Sequence, residues 1–239
     1  MEVTSASMRH EWRLYDLWID WEQATAYCAC LRLAGHDDWR LPTRIELVSL
    51  VDYTRAFPAI DPAAFPDTPS EWFWTSTERA DEPASAWFVY FENGYSHHHA
   101  KDEPSWRVRC VRYAGAPTLP GPRYETVPGG VKELRTGLIW QVALDGQLRT
   151  WEAARAHCQG LTTAGGGWRL PSMKELQTLV DDSRAEPSID PVFINTPLEP
   201  FWTASGVVAT PGSAWRVSFI HGYTYDASAT YEYHTRCVR

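Results

Sequence analysis

WRLPTRIEL at residues 39–47 is the stretch of sequence that decides the fold, and it returns as WRLPSMKEL at residues 168–176. In each copy a hydroxyl residue, Thr43 or Ser172, stands three positions before a glutamate. This is the pattern of a capping box, in which the two side chains bond each other's unpaired backbone N–H groups. The pattern predicts a short amphipathic helix after each WRLP. The predicted buried positions are Leu47, Leu50 and Val51 in the first copy and Leu176, Leu179 and Val180 in the second.

Other motifs recur in the same order around this stretch. The matched pairs are WEQATAYC at 21–28 with WEAARAHC at 151–158, PAIDP at 58–62 with PSIDP at 187–191, FWT at 73–75 with FWT at 201–203, AW at 86–87 with AW at 214–215, and RCVR at 109–112 with RCVR at 236–239. A repeat this long indicates a duplication. Glycine and proline cluster from Ala114 to Arg123, as is typical of a linker. We therefore predict repeat one at 1–113, a linker at 114–122 and repeat two at 123–239.

Each repeat is predicted to place helices before an antiparallel sheet, which is an α+β arrangement. Asp20 and Thr150 stand where an N-cap would begin the first helix of each repeat. Its apolar face in repeat one is Trp21, Ala24, Cys28 and Leu31. The strands predicted in repeat one are Trp74–Thr77, Trp87–Phe91 and Trp106–Val111, with equivalents in repeat two. The opening strand is predicted to be full in repeat two (131–141) and looser in repeat one (14–19).

Composition limits the function. The 239 residues carry a formal charge of −8, which argues against nucleic acid as a main partner, because phosphate binding needs clustered lysine and arginine. No apolar run is long enough to span a bilayer, and residues 1–20 contain no signal-peptide pattern. The 13 tryptophans indicate a dense aromatic core. We expect no cofactor.

Four of the five cysteines occupy repeat-equivalent positions. They are interpreted as two structural disulfides, which would place the chain in an oxidising compartment. The alternative is buried, reduced thiols in a cytosolic protein. The fifth, Cys30, is predicted to be a free thiol, and no histidine is placed to make it a nucleophile.

The motif order W-x-x-A-x-x-x-C, WRLP-[TS]-x-x-E-L, P-x-I-D, FWT, AW-x-V-x-F and RCVR resembles the Lcl C-terminal-domain family, named for the collagen-like adhesin of Legionella. The resemblance covers nearly all of both repeats. It implies a C-type-lectin-like fold in each repeat and disulfides that join Cys28 to Cys110 and Cys158 to Cys237. Two features differ from the family's adhesins: this chain is acidic, which argues against sulfated glycans, and it has no collagen-like stalk.

Several motifs resemble catalytic or metal sites, but most of them fit another role better. The run at 97–99 is three histidines, but neighbouring residues on a strand point to opposite faces, and repeat two does not keep them. Calcium is not expected, because Glu103-Pro104-Ser105 is only a distant match to lectin calcium motifs. Asp61 and Asp190 each precede a proline, which favours turn chemistry over acid–base catalysis. Asp52 and Asp181 are also retained in both repeats, and a paired acid–base role is possible for such carboxylates. Glycines 165–167 precede a tryptophan and not a helix, so they form no phosphate cradle. We predict neither a catalytic residue nor a metal ligand.

The repeats diverge most between Gly94 and Trp106 and between Gly222 and Arg236. Tyrosines among small polar residues are typical of binding surfaces, and packing of these tyrosines on the sheet is the alternative. The ligand-binding residues predicted from these segments are Tyr95, His97, His99 and Lys101 in repeat one and Tyr223, Tyr225, Asp226, Tyr231, Tyr233 and His234 in repeat two.

The sequence thus favours a non-enzymatic protein, secreted or on the cell surface, that binds a glycan or a protein through loops before the last strand of each repeat. A structural module of a surface complex is one alternative. A binding protein diversified by a retroelement is another, suggested by the tyrosine-rich end of repeat two. The sequence does not indicate an oligomeric state.

Overall fold

The computed structural model describes residues 3–5, 10–103, 106–113 and 122–239. The predicted linker lies outside them except for Pro122, and so do two residues of the string Glu103-Pro104-Ser105. The chain forms two compact units, Met1–Thr118 and Leu119–Arg239. Among the described residues there are four α-helices with small sheets, so the α+β prediction is confirmed.

Repeat one consists of two helices and one six-stranded sheet. Its elements in chain order are β1 (Val3–Ser5), β2 (His10–Ile19), α1 (Trp21–Cys30), α2 (Arg44–Ser49), β3 (Trp72–Arg79), β4 (Glu82–Tyr90), β5 (Tyr95–Ala100) and β6 (Trp106–Tyr113). The strand order is β1-β2-β6-β3-β4-β5. Neighbours are antiparallel except β3 and β6, which pair in parallel through Phe73 and Arg107.

Repeat two has the same order of helices with two three-stranded sheets. Its elements are β7 (Tyr124–Val127), β8 (Gly130–Glu133), β9 (Ile139–Trp140), α3 (Trp151–Gly160), a 3₁₀ turn (Thr163–Gly165), α4 (Met173–Thr178), β10 (Phe201–Gly206), β11 (Ser213–Ser218) and β12 (Tyr223–Ser228). The last segment pairs only through isolated bridges. One of them, Phe201 with His234, is parallel and corresponds to the parallel pair of repeat one.

The helices begin where the caps predict. Asp20, Thr43 and Ser172 each accept a hydrogen bond from the backbone N–H three residues on, and each forms a complete capping box. Thr150 is the N-cap of α3, but its side chain makes no capping hydrogen bond. The third helical position is Ala153, whose methyl group cannot accept the hydrogen bond from the N-cap backbone that a capping box requires.

The arginine of each WRLP motif also binds the glutamate of the capping box that follows it. Arg40 donates from both Nη groups to the two Glu46 oxygens at 2.8 and 2.6 Å, while Glu46 also accepts from the Thr43 backbone N–H at 2.8 Å. Arg169 and Glu175 repeat this two-point contact at 2.7 and 2.6 Å. A planar guanidinium matches a carboxylate in this way, so the motif joins the strand-like WRLP segment to its helix.

The strand predictions needed two corrections. The opening strand is long in repeat one, where β2 pairs with β6 over most of its length. In repeat two the same region is broken into β8 and β9, because Gly137 adopts a φ of +77° at the turn between them. The segments predicted as loops before the last strand also contain strands, β5 and β12. They add to the sheet edge because the chain turns back at Gly94 and Gly222, which have φ values of +94° and +89°.

Both implied disulfides are present and are confirmed, Cys28–Cys110 and Cys158–Cys237. Each ties the first helix of its repeat to the last segment. Cys30 is an exposed free cysteine, as predicted.

The RCVR motif supplies a buried arginine to each repeat. Arg236 is fully buried, and its Nη groups donate to the Gln141 carbonyl at 2.7 Å and to the Thr196 hydroxyl at 2.8 Å. Arg109 donates to the Thr68 hydroxyl at 2.8 Å in the same way. A buried guanidinium must be hydrogen-bonded to be tolerated, so this arginine fixes the loop before the sheet to the last strand.

Candidate ligand-binding surface

The sheet of repeat one packs α1 against one face and α2 against the other, and partly exposed aromatic side chains lie beside α1. In β4, Phe88 and Tyr90 alternate with the buried Trp87 and Val89, so the two sets lie on opposite faces. One face holds a core that contains Ala24 and Cys28 of α1, and the other holds a core built on α2. Beyond the part that α1 covers, aromatic side chains form the surface. We name them platform one: Trp72, Phe88, Tyr90, Tyr95, His97, His99 and Trp106.

Platform one is a continuous aromatic layer. Trp72 stacks flat on Tyr90, with ring centroids 3.8 Å apart and planes within 4°. Trp106 closes the layer on the other side, since its ring lies 5.3 Å from Trp72 and 5.2 Å from Phe88. At the sheet edge Tyr95 and His97 stack in parallel at 5.9 Å. Phe88 is buried beneath and the other members are half-buried, so the rings rest on core and expose their outer side.

The layer is neutral at its centre and acidic at its rim. Burial lowers the pKa of His97 below its ordinary value, so this imidazole is neutral at physiological pH. Burial and a hydrogen bond to Glu92 raise the pKa of Tyr90 to about 12, so the phenol is also neutral. The Glu103 carboxylate lies 3.7 Å from His99 Nδ1. The Glu92 and Glu103 carboxylates beside the layer would therefore repel a polyanion.

Repeat two presents a different surface at the same positions. Arg216 stands where repeat one has Phe88, as the register of β11 with β12 shows: Arg216 faces Tyr225 and Phe88 faces His97. We name this surface platform two: Arg216, Ser218, Tyr223, Tyr225 and Tyr233. The Arg216 guanidinium carbon lies 4.5 Å from the Tyr233 ring and 5.3 Å from the Tyr225 ring. The surface is thus a cation held between two tyrosines.

The structure brings together six of the ten predicted site residues on the platforms. Tyr223 and Tyr225 share one face of β12 with ring centroids 5.7 Å apart, as their spacing predicted. The other four lie elsewhere. Lys101 donates to the Glu78 carboxylate at 2.8 Å and covers the Trp21 ring. Asp226 points to the opposite face of β12, and Tyr231 is 59% exposed beyond that strand. His234 is buried against Phe201.

Sequence reasoning missed six platform residues: Trp72, Phe88, Tyr90, Trp106, Arg216 and Ser218. They lie in strands that the repeats share, and the search for a site concentrated on the divergent segments. A position-by-position comparison of the shared strands offered a signal. It pairs Trp72 with Pro200, Phe88 with Arg216 and Tyr90 with Ser218, three exchanges in otherwise similar strands.

The carboxylates that both repeats retain serve as turn acceptors, as predicted for Asp61 and Asp190. Asp61 accepts from the Ala63 backbone N–H at 2.9 Å, and Asp190 accepts from the Val192 N–H at 2.8 Å. Asp52 accepts from the Thr54 backbone N–H at 2.9 Å, and Asp181 accepts from the Ser183 backbone N–H at 3.0 Å. Within the described ranges, no three His, Cys, Asp or Glu side chains form a group that could hold a metal ion.

A cavity of about 480 Å³ lies in repeat two away from platform two. Its walls are mainly apolar and backbone groups, with Val131, Val142, Leu161 and Trp168 among them. It contains none of the predicted site residues and no charged side chain. We therefore regard the platforms, and not this cavity, as the candidate site.

In the described part of the chain, no helix has both the length and the apolar character needed to cross a membrane. A comparison with curated proteins found no significant match. The Lcl C-terminal domain family, in contrast, matches twice in tandem, over residues 4–112 and again over 129–239. Both matches contain the capped WRLP helix, the disulfide pair and a platform, and together they cover most of the chain. The chain therefore belongs to the Lcl C-terminal domain family, as two tandem copies of that domain.

Proposed function

We propose that this chain is a non-enzymatic, extracellular binding protein that holds saccharides on the two platforms. Platform one carries the proposal, because its partly exposed tryptophan, tyrosine and histidine rings form one continuous layer on a face of the sheet. The apolar C–H face of a sugar ring fits flat against such rings, while its hydroxyls remain free to bond the polar rim.

The chemistry of platform one favours binding over catalysis. A hydrolytic or acyl-transfer site needs a nucleophile or an acid–base pair within hydrogen-bond reach. The polar groups of this layer are two imidazoles, two phenols and the indole N–H groups, and none is placed against a nucleophile among the described residues. The retained aspartates, which would be the natural acid–base candidates, bond their own turns.

The family supports an adhesin-like role, and the two disulfides agree with an oxidising, extracellular setting. Family membership also leads us to infer a C-type-lectin-like fold for each repeat. Two platforms on one chain would strengthen attachment to a surface that repeats its sugars, since the second binding event becomes intramolecular.

A Trp72→Ala variant tests the proposal. Trp72 is half-buried and at the centre of the stacked layer, so truncation removes ligand contact without emptying the core. Loss of a central aromatic anchor costs about 2 kcal/mol, which is about a thirtyfold weakening. Binding of the full chain to a glycan array identifies a saccharide, and calorimetry with that saccharide measures the change.

Tyr113→Ala is the matched control. Tyr113 is an aromatic residue that is 44% exposed. It lies at the opposite end of β6 from Trp106, and seven residues of extended strand place the two about 23 Å apart. We expect this variant to bind like the wild type. Equal binding by wild type and Trp72→Ala would refute the platform as the site. Binding of the wild type to extracellular proteins but to no saccharide would refute the ligand class.

A further inference from the structure

The strongest unexplained feature is the exchange of Phe88 in platform one for a cation, Arg216, at the same register in platform two. Arg216 is half-buried, and its Nε lies buried without a hydrogen-bond partner. Among the described residues, Arg216 forms no ion pair, and its guanidinium contacts the Tyr225 and Tyr233 rings, so an anionic ligand can bind it without displacing a carboxylate of this chain.

The surroundings of Arg216 select the kind of partner. The Arg216 guanidinium carbon lies 5.3 Å from the Tyr225 ring and 4.5 Å from the Tyr233 ring, so the cation sits among aromatic rings. A carboxylate matches the edge of a guanidinium with two parallel N–H···O bonds. The overall charge of −8 opposes polyanions, whereas one guanidinium balances one negative charge.

We propose that platform two recognises a saccharide that carries a carboxylate, as a uronic acid does, with Arg216 as the residue that determines specificity, while platform one takes a neutral saccharide. This inference rests on the proposed saccharide-binding function and adds the ligand class of one repeat. The duplication has then produced two sites of different specificity, in which Arg216 replaces Phe88 and further exchanges surround it.

Arg216→Phe is the most direct test, because it removes the cation and installs the side chain that repeat one holds at the same register. The probes are a tetrasaccharide of alternating glucuronate and N-acetylglucosamine, the same tetrasaccharide with its carboxyls reduced to hydroxymethyl groups, and a sulfated tetrasaccharide without carboxyls. Calorimetry uses the full chain, with Trp72→Ala also present in one series to remove the contribution of repeat one.

We expect the wild type to bind the glucuronate probe about tenfold to a hundredfold more tightly than the reduced probe, the range for a charge-assisted hydrogen-bonded pair. Arg216→Phe is expected to remove that preference and its dependence on salt, and Arg216→Lys to restore only part of it, since an ammonium cannot bond both oxygens in one plane. Tyr231→Ala, an exposed tyrosine off the platform, serves as the control that keeps the preference.

The outcomes separate the two proposals. A preference for glucuronate that survives in Arg216→Phe overturns the assignment of Arg216 and leaves saccharide binding intact. Equal Arg216-dependent binding of the sulfated probe overturns the carboxylate class. Failure of the wild type to bind any probe overturns this inference, and failure on the full glycan array as well overturns the proposed function.

Discussion

Replacing Glu46 by glutamine should destabilise repeat one by an amount that depends on pH. Burial of this carboxyl raises its pKa, but hydrogen bonds from Arg40 and from the Thr43 backbone N–H outweigh burial and lower the pKa from 4.5 to about 2. Glutamine keeps the size and the capping bond and loses the charge. The variant therefore isolates the contribution of the ion pair.

The magnitude follows from proton linkage. A carboxyl whose pKa is lower in the folded state stabilises that state above its unfolded pKa, and the contribution is lost as pH falls through the folded pKa. A shift from 4.5 to about 2 corresponds to about 3 kcal/mol at pH 7. The same two pKa values leave about 1.4 kcal/mol at pH 3 and almost nothing below pH 2. Glu46→Gln should therefore lose about 3 kcal/mol at neutral pH and progressively less in acid.

Urea unfolding of the full chain, with pulsed hydrogen exchange and mass spectrometry, distinguishes peptides of repeat one from those of repeat two. Glu175→Gln is the matched control in the second repeat. Its carboxylate is more exposed, at 24% against 13% for Glu46, and its pKa is also lowered, so we expect a smaller loss confined to repeat two. A Glu46→Gln loss that is the same at pH 7 and pH 3 would refute the ion-pair argument and assign the effect to packing.

Two further predictions concern the interior of repeat two. Replacing Cys158 and Cys237 by serine should lower its free energy of unfolding by about 4 to 5 kcal/mol, since the bond closes a loop of 79 residues, whereas Cys30→Ser should change nothing measurable; a loss below about 1 kcal/mol in urea unfolding would contradict this. Arg236→Met should cost about 3 kcal/mol or more, because it leaves buried carbonyls such as that of Gln141 without donors. Arg184→Met, at an exposed arginine, should stay within about 0.5 kcal/mol of the wild type in the same assay, and equal effects of the two arginine variants would refute the role of Arg236.

The local elements could be predicted because their determinants lie within a few residues of each other. Thr43 and Glu46 form the cap that their spacing predicted, and Asp61 bonds the turn that its proline indicated. The disulfide pairs came from family resemblance and proved right, since four cysteines alone permit three pairings. The opening strand was predicted wrongly because the pairing of β2 with β6 joins residues about a hundred positions apart, which no local pattern records.

The candidate site could be predicted only in part. Tyr95 and His97 were identified because they lie where the repeats diverge, whereas Lys101 was included although Glu78 and Trp21 hold its ammonium group. Trp72 and Trp106 were missed because they stand in shared strands far from each other in sequence, where an aromatic residue usually means core.

The sequence by itself determined the duplication, the capped helices, the cysteine framework and the family, because each depends on residue identity at short or repeated spacing. Only the tertiary structure decided that Trp72, Tyr90, Tyr95 and Trp106 form one surface. It also decided that Arg216 occupies, in repeat two, the position that Phe88 holds within that surface. Side-chain alternation along a strand is local, but which strands are neighbours, and how much of a sheet face a helix covers, depends on contacts between distant parts of the chain.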